Sequence, residues 1–209
     1  SKKELGDDYG MRGASGIDAE WFEQAEALEN WMIGKTVEEI TGMDTYERDE
    51  AHPQVPDVEE LKSSVTIDVG GYLEAVEEAW ENREDVAGAE TVGLGIQTSI
   101  AKSTSEQAQV DTTMTATAFD ADGNVAGTQI DVAQVRVAFD EEGQITTDLE
   151  EEIRTKQELE DEYGMVGASE IDAEWFEQMA ALEEWMVGKS VDEITGMPVF
   201  ERDASHQNV

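Results

Sequence analysis

The chain is predicted to adopt an α+β fold, a small antiparallel sheet with packed helices, on three observations. Apolar and polar residues alternate with period two between residues 91 and 139, interrupted by Gly-bearing turns. Apolar residues recur at helical spacing over 18–32. The whole helical pattern of residues 1–55 then returns at 155–209, with 36 of 55 aligned positions identical and a constant offset of 154.

In chain order, Trp21, Ala25, Leu28 and Met32 fall at i, i+4, i+7 and i+11, which predicts an amphipathic helix over Asp18–Met32. Such an aromatic and aliphatic stripe reads as core packing rather than as a cofactor wall. Gly34 supplies the stop, and Thr36 to Glu39 has capping-box spacing ahead of a short second helix. A short strand is expected over Ser64–Asp68, then a helix through Tyr72, Val76, Ala79 and Trp80. Strands are expected over 91–100, 109–119, 125–132 and 134–139, rich in Val, Ile and Thr. Asp120–Asn124 and Asp140–Gln144 read as turns in which glycine supplies a positive φ. The second helical copy repeats the helix over Asp172–Met186, the stop at Gly188 and the box from Ser190 to Glu193.

The period divides into three segments. A helical segment H covers 1–55 and again 155–209. A linking segment C covers 56–86, and a sheet segment S covers 87–154. The chain therefore reads H–C–S–H, one 154-residue period plus a 55-residue overlap. Two regions are expected, 1–86 and 87–209, each holding part of a repeat. Two H segments share one C and one S, so one H is surplus if partial repeats are completed between chains.

Composition narrows the function classes. With 51 acidic and 13 basic side chains the net charge is −38, which excludes phosphate-binding basic patches and so argues against nucleic acid as partner. The acids are spread along the whole chain, which reads as a solvated, self-repelling surface rather than a dedicated cation site. The absence of Cys removes disulfides, thiolate metal sites and cysteine nucleophiles. No apolar run approaches the length of a membrane span, and neither end reads as a signal peptide.

Catalytic and metal motifs are lacking. His52 and His206 occupy equivalent repeat positions in polar sequence, with no second His beside either to complete a metal site or triad. Gly93 and Gly95 form a G-x-G without the third glycine of a dinucleotide fingerprint. Asp120, Asp122 and Asn124 lack the length and distal Glu of a calcium loop, and read as a plain turn. Amides near Gly13–Ser15 and Gly167–Ser169 precede a helix, where an anion can be received, although a simple helix entry is the default.

Several short motifs stand in a suggestive order. DADGNVAG (120–127) forms a hairpin with a central D-G. ELGDDYGM (4–11) is followed by WMIGK (31–35), and both return at 158–165 and 185–189. Glu60-Leu61-Lys62-Ser63-Ser64-Val65-Thr66 is followed by AVEEAW (75–80). In the order S–H–C this resembles the FMN-binding domain family of flavin-carrying bacterial lipoproteins and of flavin subunits of ion-pumping respiratory reductases. There a small sheet precedes a G-K-containing segment and then a D-x-x-S-G-A-T motif with its helix. The resemblance implies an FMN phosphate site at Thr66, Ser63, Ser64, Glu60 and Lys62, with Thr66 keeping the hydroxyl that carries or contacts the phosphate. The family's Gly and Ala are replaced here by Ser64 and Val65, and its Asp by Glu60.

Two functions are expected from these readings. The first is a non-enzymatic extracellular or cell-surface structural protein of FMN-binding-like modules, without cofactor or metal. It self-assembles head to tail with identical chains into a filament or array. The second is an extracytoplasmic FMN-binding electron-transfer protein.

Overall fold

α1 (Lys2–Leu5) starts on Ser1, whose Oγ accepts from the Glu4 N–H, and passes into a 3-10 turn over Gly6–Tyr9. This is the first of a series of reciprocal caps in the computed structural model, which describes residues 1–202. α2 (Trp21–Met32) begins three residues later than the apolar spacing predicts, because Asp18 takes a left-handed φ of 55° and cannot join the helix. Its entry is built on Glu20, whose own N–H donates to Glu23 Oε2 at 2.8 Å. α3 (Val37–Thr41) follows the Thr36–Glu39 box expected from sequence, with Thr36 Oγ1 accepting from Glu39 N–H and Glu39 Oε2 accepting from Thr36 N–H.

β1 (Thr45–Tyr46) pairs antiparallel with β2 (Val55–Pro56), a two-residue ladder that the sequence does not announce. The strand expected over Ser64–Asp68 does not form. The segment keeps the burial alternation of a strand, with Val65, Ile67 and Val69 buried and Thr66 and Asp68 half-buried. The Ser64 and Val65 N–H groups, however, turn back to Leu61 O, and the Thr66 groups bond to side chains. Gln24 takes the Thr66 N–H and Arg48 donates to the Thr66 carbonyl, so no ladder exists. α4 (Gly70–Glu81) closes this unit, which runs from Ser1 to Glu84. Its core joins Leu28, Ile40 and Met43 of H to Leu61, Val65, Ile67, Val69 and Leu73 of C. Leu61, Val65 and Val69 are each at most 2% exposed.

The second unit, from Asp85 onward, is built on a three-stranded antiparallel sheet in the order β3 (Thr91–Ser99), β4 (Gln107–Phe119) and β5 (Val125–Ala138). The two strands expected over 125–139 are one. Ala133 pairs with Thr112 without a break, so the alternation continues through the junction. The Asp120–Asn124 turn joins β4 to β5, with Gly123 at φ 83° and a register shift at Ala118/Phe119. The Asp140–Gln144 turn folds the chain back into a bridge between Phe139 and Ile145. α5 (Lys156–Leu159), a 3-10 turn (Glu160–Tyr163), α6 (Trp175–Met186) and α7 (Val191–Thr195) then reproduce the elements of residues 2–41, each displaced by 154.

This second H lies along the outer edge of β5. The Val125 N–H donates to Lys189 O and the Gly188 N–H to Val125 O. Glu183 Oε1 takes the Ile130 N–H at 2.6 Å, and Gln157 Nε2 donates to Ile130 O at 3.2 Å. The opposite edge of the sheet, β3, has no strand beyond it among the described residues. There Val92, Leu94 and Ile96 are 77%, 71% and 54% exposed. No helix among the described residues is long and apolar enough to cross a membrane.

Candidate functional site

The five residues nominated as a phosphate site are not brought together. Glu60, Lys62 and Ser63 are exposed, and half-buried Ser64 donates its hydroxyl to Leu61 O. Lys62 alone reaches a hollow of about 360 Å³ lined by Tyr46, Pro56, Asp57 and Val65. Its ammonium pairs with Asp57 at 3.2 Å and Glu59 at 3.5 Å, and the hydrogen bond to Asp57 raises its pKa. The Thr66 hydroxyl has a single proton, shared between Ser15 O at 2.9 Å and Gln24 Oε1 at 3.3 Å, and the Thr66 N–H goes to Gln24. Thr66, whose hydroxyl would contact the phosphate, does not fit that role, since its hydroxyl and N–H are engaged inside the protein.

Thr66 is instead the centre of a clasp between H and C. Gln24, fully buried on α2, accepts from the Thr66 N–H at 2.8 Å and from its hydroxyl at 3.3 Å. Arg48 Nη1 donates to Thr66 O at 2.8 Å. One residue of C thus binds three residues of H that are far apart in sequence. The burial of Gln24 makes these bonds selective, because an unmatched amide there strands polar groups away from water. The clasp sits beside the mixed core described above and beside the Trp21–Tyr72 pair, whose indole N–H donates to the Tyr72 hydroxyl at 3.2 Å.

The loop before α2 supplies its own anion. The buried Glu20 carboxylate accepts from the N–H groups of Met11 and Arg12 at 2.8 and 2.9 Å, and Ser15 Oγ accepts from those of Ile17 and Ala19. In the second copy Glu174 takes the N–H groups of Met165 and Val166 in the same manner. The amides near the two G-A-S triplets are therefore engaged by side chains of H itself, which is the simple helix entry.

In the second copy the face that carries C in the first is only partly covered by its own unit, among the described residues. Gln178, Leu182, Ile194 and Met197 are identical to Gln24, Leu28, Ile40 and Met43, yet all four are only half-buried where their counterparts are buried. Gln178 Nε2 keeps the bond to Ala173 O that matches Gln24 to Ala19, at 3.0 Å. Among the described residues nothing donates to Gln178 Oε1, the atom whose counterpart holds Thr66. The reverse holds for the other face. Glu29, the counterpart of the sheet-binding Glu183, pairs with Lys3 instead, and Ile33, beside the strand-pairing position Gly34, is 77% exposed. Each copy of H covers the face that the other leaves open.

The remaining candidates are turn chemistry. His52 Nδ1 lies 2.6 Å from Asp49 Oδ1 in a loop, and His206 lies outside the described residues. Asp120 accepts from the N–H groups of Asp122 and Asn124, a local turn motif. No group of three or more His, Asp or Glu side chains is arranged to hold a metal ion among the described residues. A second hollow, of about 240 Å³, gathers Arg136, Arg154 and Lys156 near Tyr163, with Arg154 bound to Glu162 at 2.5 Å.

Gln24 could not be found from sequence, because a single Gln on an acidic helix carries no local signal and its partner lies 42 residues away. Its recurrence at Gln178 is the one available hint. No family model, curated protein or solved structure matches the chain.

Proposed function

We propose that this is a non-enzymatic structural protein that assembles head to tail with other copies of itself, by completing partial repeats between chains, at an extracellular or cell surface. The observation that carries the reading is the complementary exposure of H: bound to C and open to S in one copy, bound to S and open to C in the other. An apolar face with a buried-type amide, left half-buried, is a surface that gains by being covered. Contacts of this head-to-tail kind are heterologous and extend into fibres when they do not close. The engagement of the Thr66 donors supports this reading over a flavin carrier.

The charge sets the condition for assembly. At −38 per chain, association works against repulsion that is screened within about 10 Å at 0.1 M salt. Light scattering with electron microscopy across a range of ionic strength is the test. Species larger than one chain that grow with salt are expected. A monomer at every concentration and ionic strength overturns the proposal, and flavin absorbance in the same sample would favour the electron-transfer reading instead.

A further inference from the structure

The first copy of H displays what its open counterpart in the second copy is shaped to receive. Residues 56–84 lay Leu61, Val65, Ile67, Val69 and Leu73 against Leu28, Ile40 and Met43, and place Thr66 between Gln24, Ser15 and Arg48. Six H residues of this interface are Ser15, Gln24, Leu28, Ile40, Met43 and Arg48. All six recur unchanged, as Ser169, Gln178, Leu182, Ile194, Met197 and Arg202. A twelve-residue helix with the same Glu-type entry carries Gln24 and Leu28 in the first copy and Gln178 and Leu182 in the second. Nothing in the second unit takes the place of C among the described residues.

We infer that residues 155–202 form a docking site for a segment of the 56–84 type, presented by a partner copy that exchanges it from its own first H. This rests on the reading that partial repeats are completed between chains, and it names the site and the ligand. The ligand is an extended stretch with buried apolar residues at alternate positions and a threonine between them, followed by an amphipathic helix. The Thr of the incoming segment donates its N–H to Gln178 Oε1 and its hydroxyl to Ser169 O, while its apolar residues cover Leu182, Ile194 and Met197.

The segment and the site repel one another. Residues 56–84 hold 9 acids and 2 bases, a net of −7, and residues 155–202 hold 13 acids and 3 bases, a net of −10. Docking therefore depends on apolar burial and the clasp, and tightens as salt screens the charges.

The probe is a synthetic peptide of residues 54–84 added to the full chain, read by calorimetry and hydrogen exchange. One-to-one binding that strengthens with ionic strength, with new protection in α6 and α7, is expected. Gln178→Leu should weaken it at least about tenfold, the equivalent of one stranded hydrogen bond. A peptide carrying V65D should not bind, and this arm leaves the protein untouched. Two results overturn the inference: no binding by the unaltered peptide, or binding that survives Gln178→Leu and is lost with Gln24→Leu, which is exchange into the already filled first site. Peptide binding to chains that stay monomeric retains the docking site and removes the assembly. Chains that assemble without binding the peptide do the reverse.

Discussion

Gln24 and Gln178 hold the same place on equivalent helices and differ in whether a Thr66 is bound, so substituting each by Leu gauges what the clasp is worth. In the first copy, Gln24→Leu removes the acceptor of the Thr66 N–H and one acceptor of its hydroxyl. A buried donor left without a partner costs about 1–3 kcal/mol, and since Leu keeps most of the side-chain volume we take about 2 kcal/mol for the net loss. In the second copy, Gln178→Leu gives up only the bond to Ala173 O. One such bond is worth at most about 1 kcal/mol net, and the added apolar area offsets much of it. The expected contrast is about 1.5 kcal/mol or more. Urea unfolding followed by hydrogen exchange reads the two units separately, through amides of 61–73 in the first and of 125–138 in the second. With a slope near 1 kcal/mol per molar urea, the first unit's midpoint should fall by about 2 M while the second barely moves. Equal losses in the two variants, or a neutral Gln24→Leu, would refute the clasp as the link between H and C.

Two further outcomes follow from local geometry. A Cβ at Gly42 would lie 2.7 Å from the Glu38 carbonyl oxygen, a backbone atom. Gly42→Ala should therefore destabilise the first unit by about 1–3 kcal/mol, read as a lower thermal midpoint; an unchanged midpoint counts against it. The Asp120 carboxyl is held below its ordinary pKa, chiefly by the Asn124 backbone N–H. Its contribution to the β4–β5 turn is present above the pKa of an unfolded Asp, near 3.9, and disappears as pH falls through the lower folded value. An NMR titration should place the Asp120 midpoint below that of an unstructured peptide of the same sequence, and coincident midpoints would remove the turn's hold on it.

What could be read from sequence was local. The strands of S, both glycine turns, the Thr36 and Ser190 boxes and the coarse α+β class all rest on patterns within a few residues, and each has its cause in backbone geometry close by. The caps at Ser1–Glu4 and Thr155–Glu158 have the same S/T-x-x-E signal and were legible by the same rule. The entry of α2 was not, because Glu is a poor cap residue and its carboxylate serves amides nine residues back. The extended segment around Thr66 misled for a related reason. Alternation reports which side chains are buried, whereas strand assignment depends on where the backbone hydrogen bonds go, and here they go to Gln24 and Arg48. The candidate site was illegible for the same cause: a clasp joining residues 15, 24, 48 and 66 is a tertiary fact. The internal repeat pointed to a missing partner, yet only the two copies in their different surroundings reveal which face lacks what.

The open edge of β3 places a further demand on the acidic surface. From Thr91 to Ser99 the strand carries no charged side chain, and three of its apolar residues stand largely in solvent. A bare, uncharged, apolar edge is a template for indiscriminate pairing. Proteins usually guard such an edge with a lysine or proline on the strand itself. Here the guard is delocalised: every chain repels every other through carboxylates elsewhere on its surface. That guard is titratable, and it vanishes near the isoelectric point of about 4.1. The acidity therefore works as colloidal insurance, keeping solutions of the chain from sticking along the wrong edge while screened, specific contacts remain available.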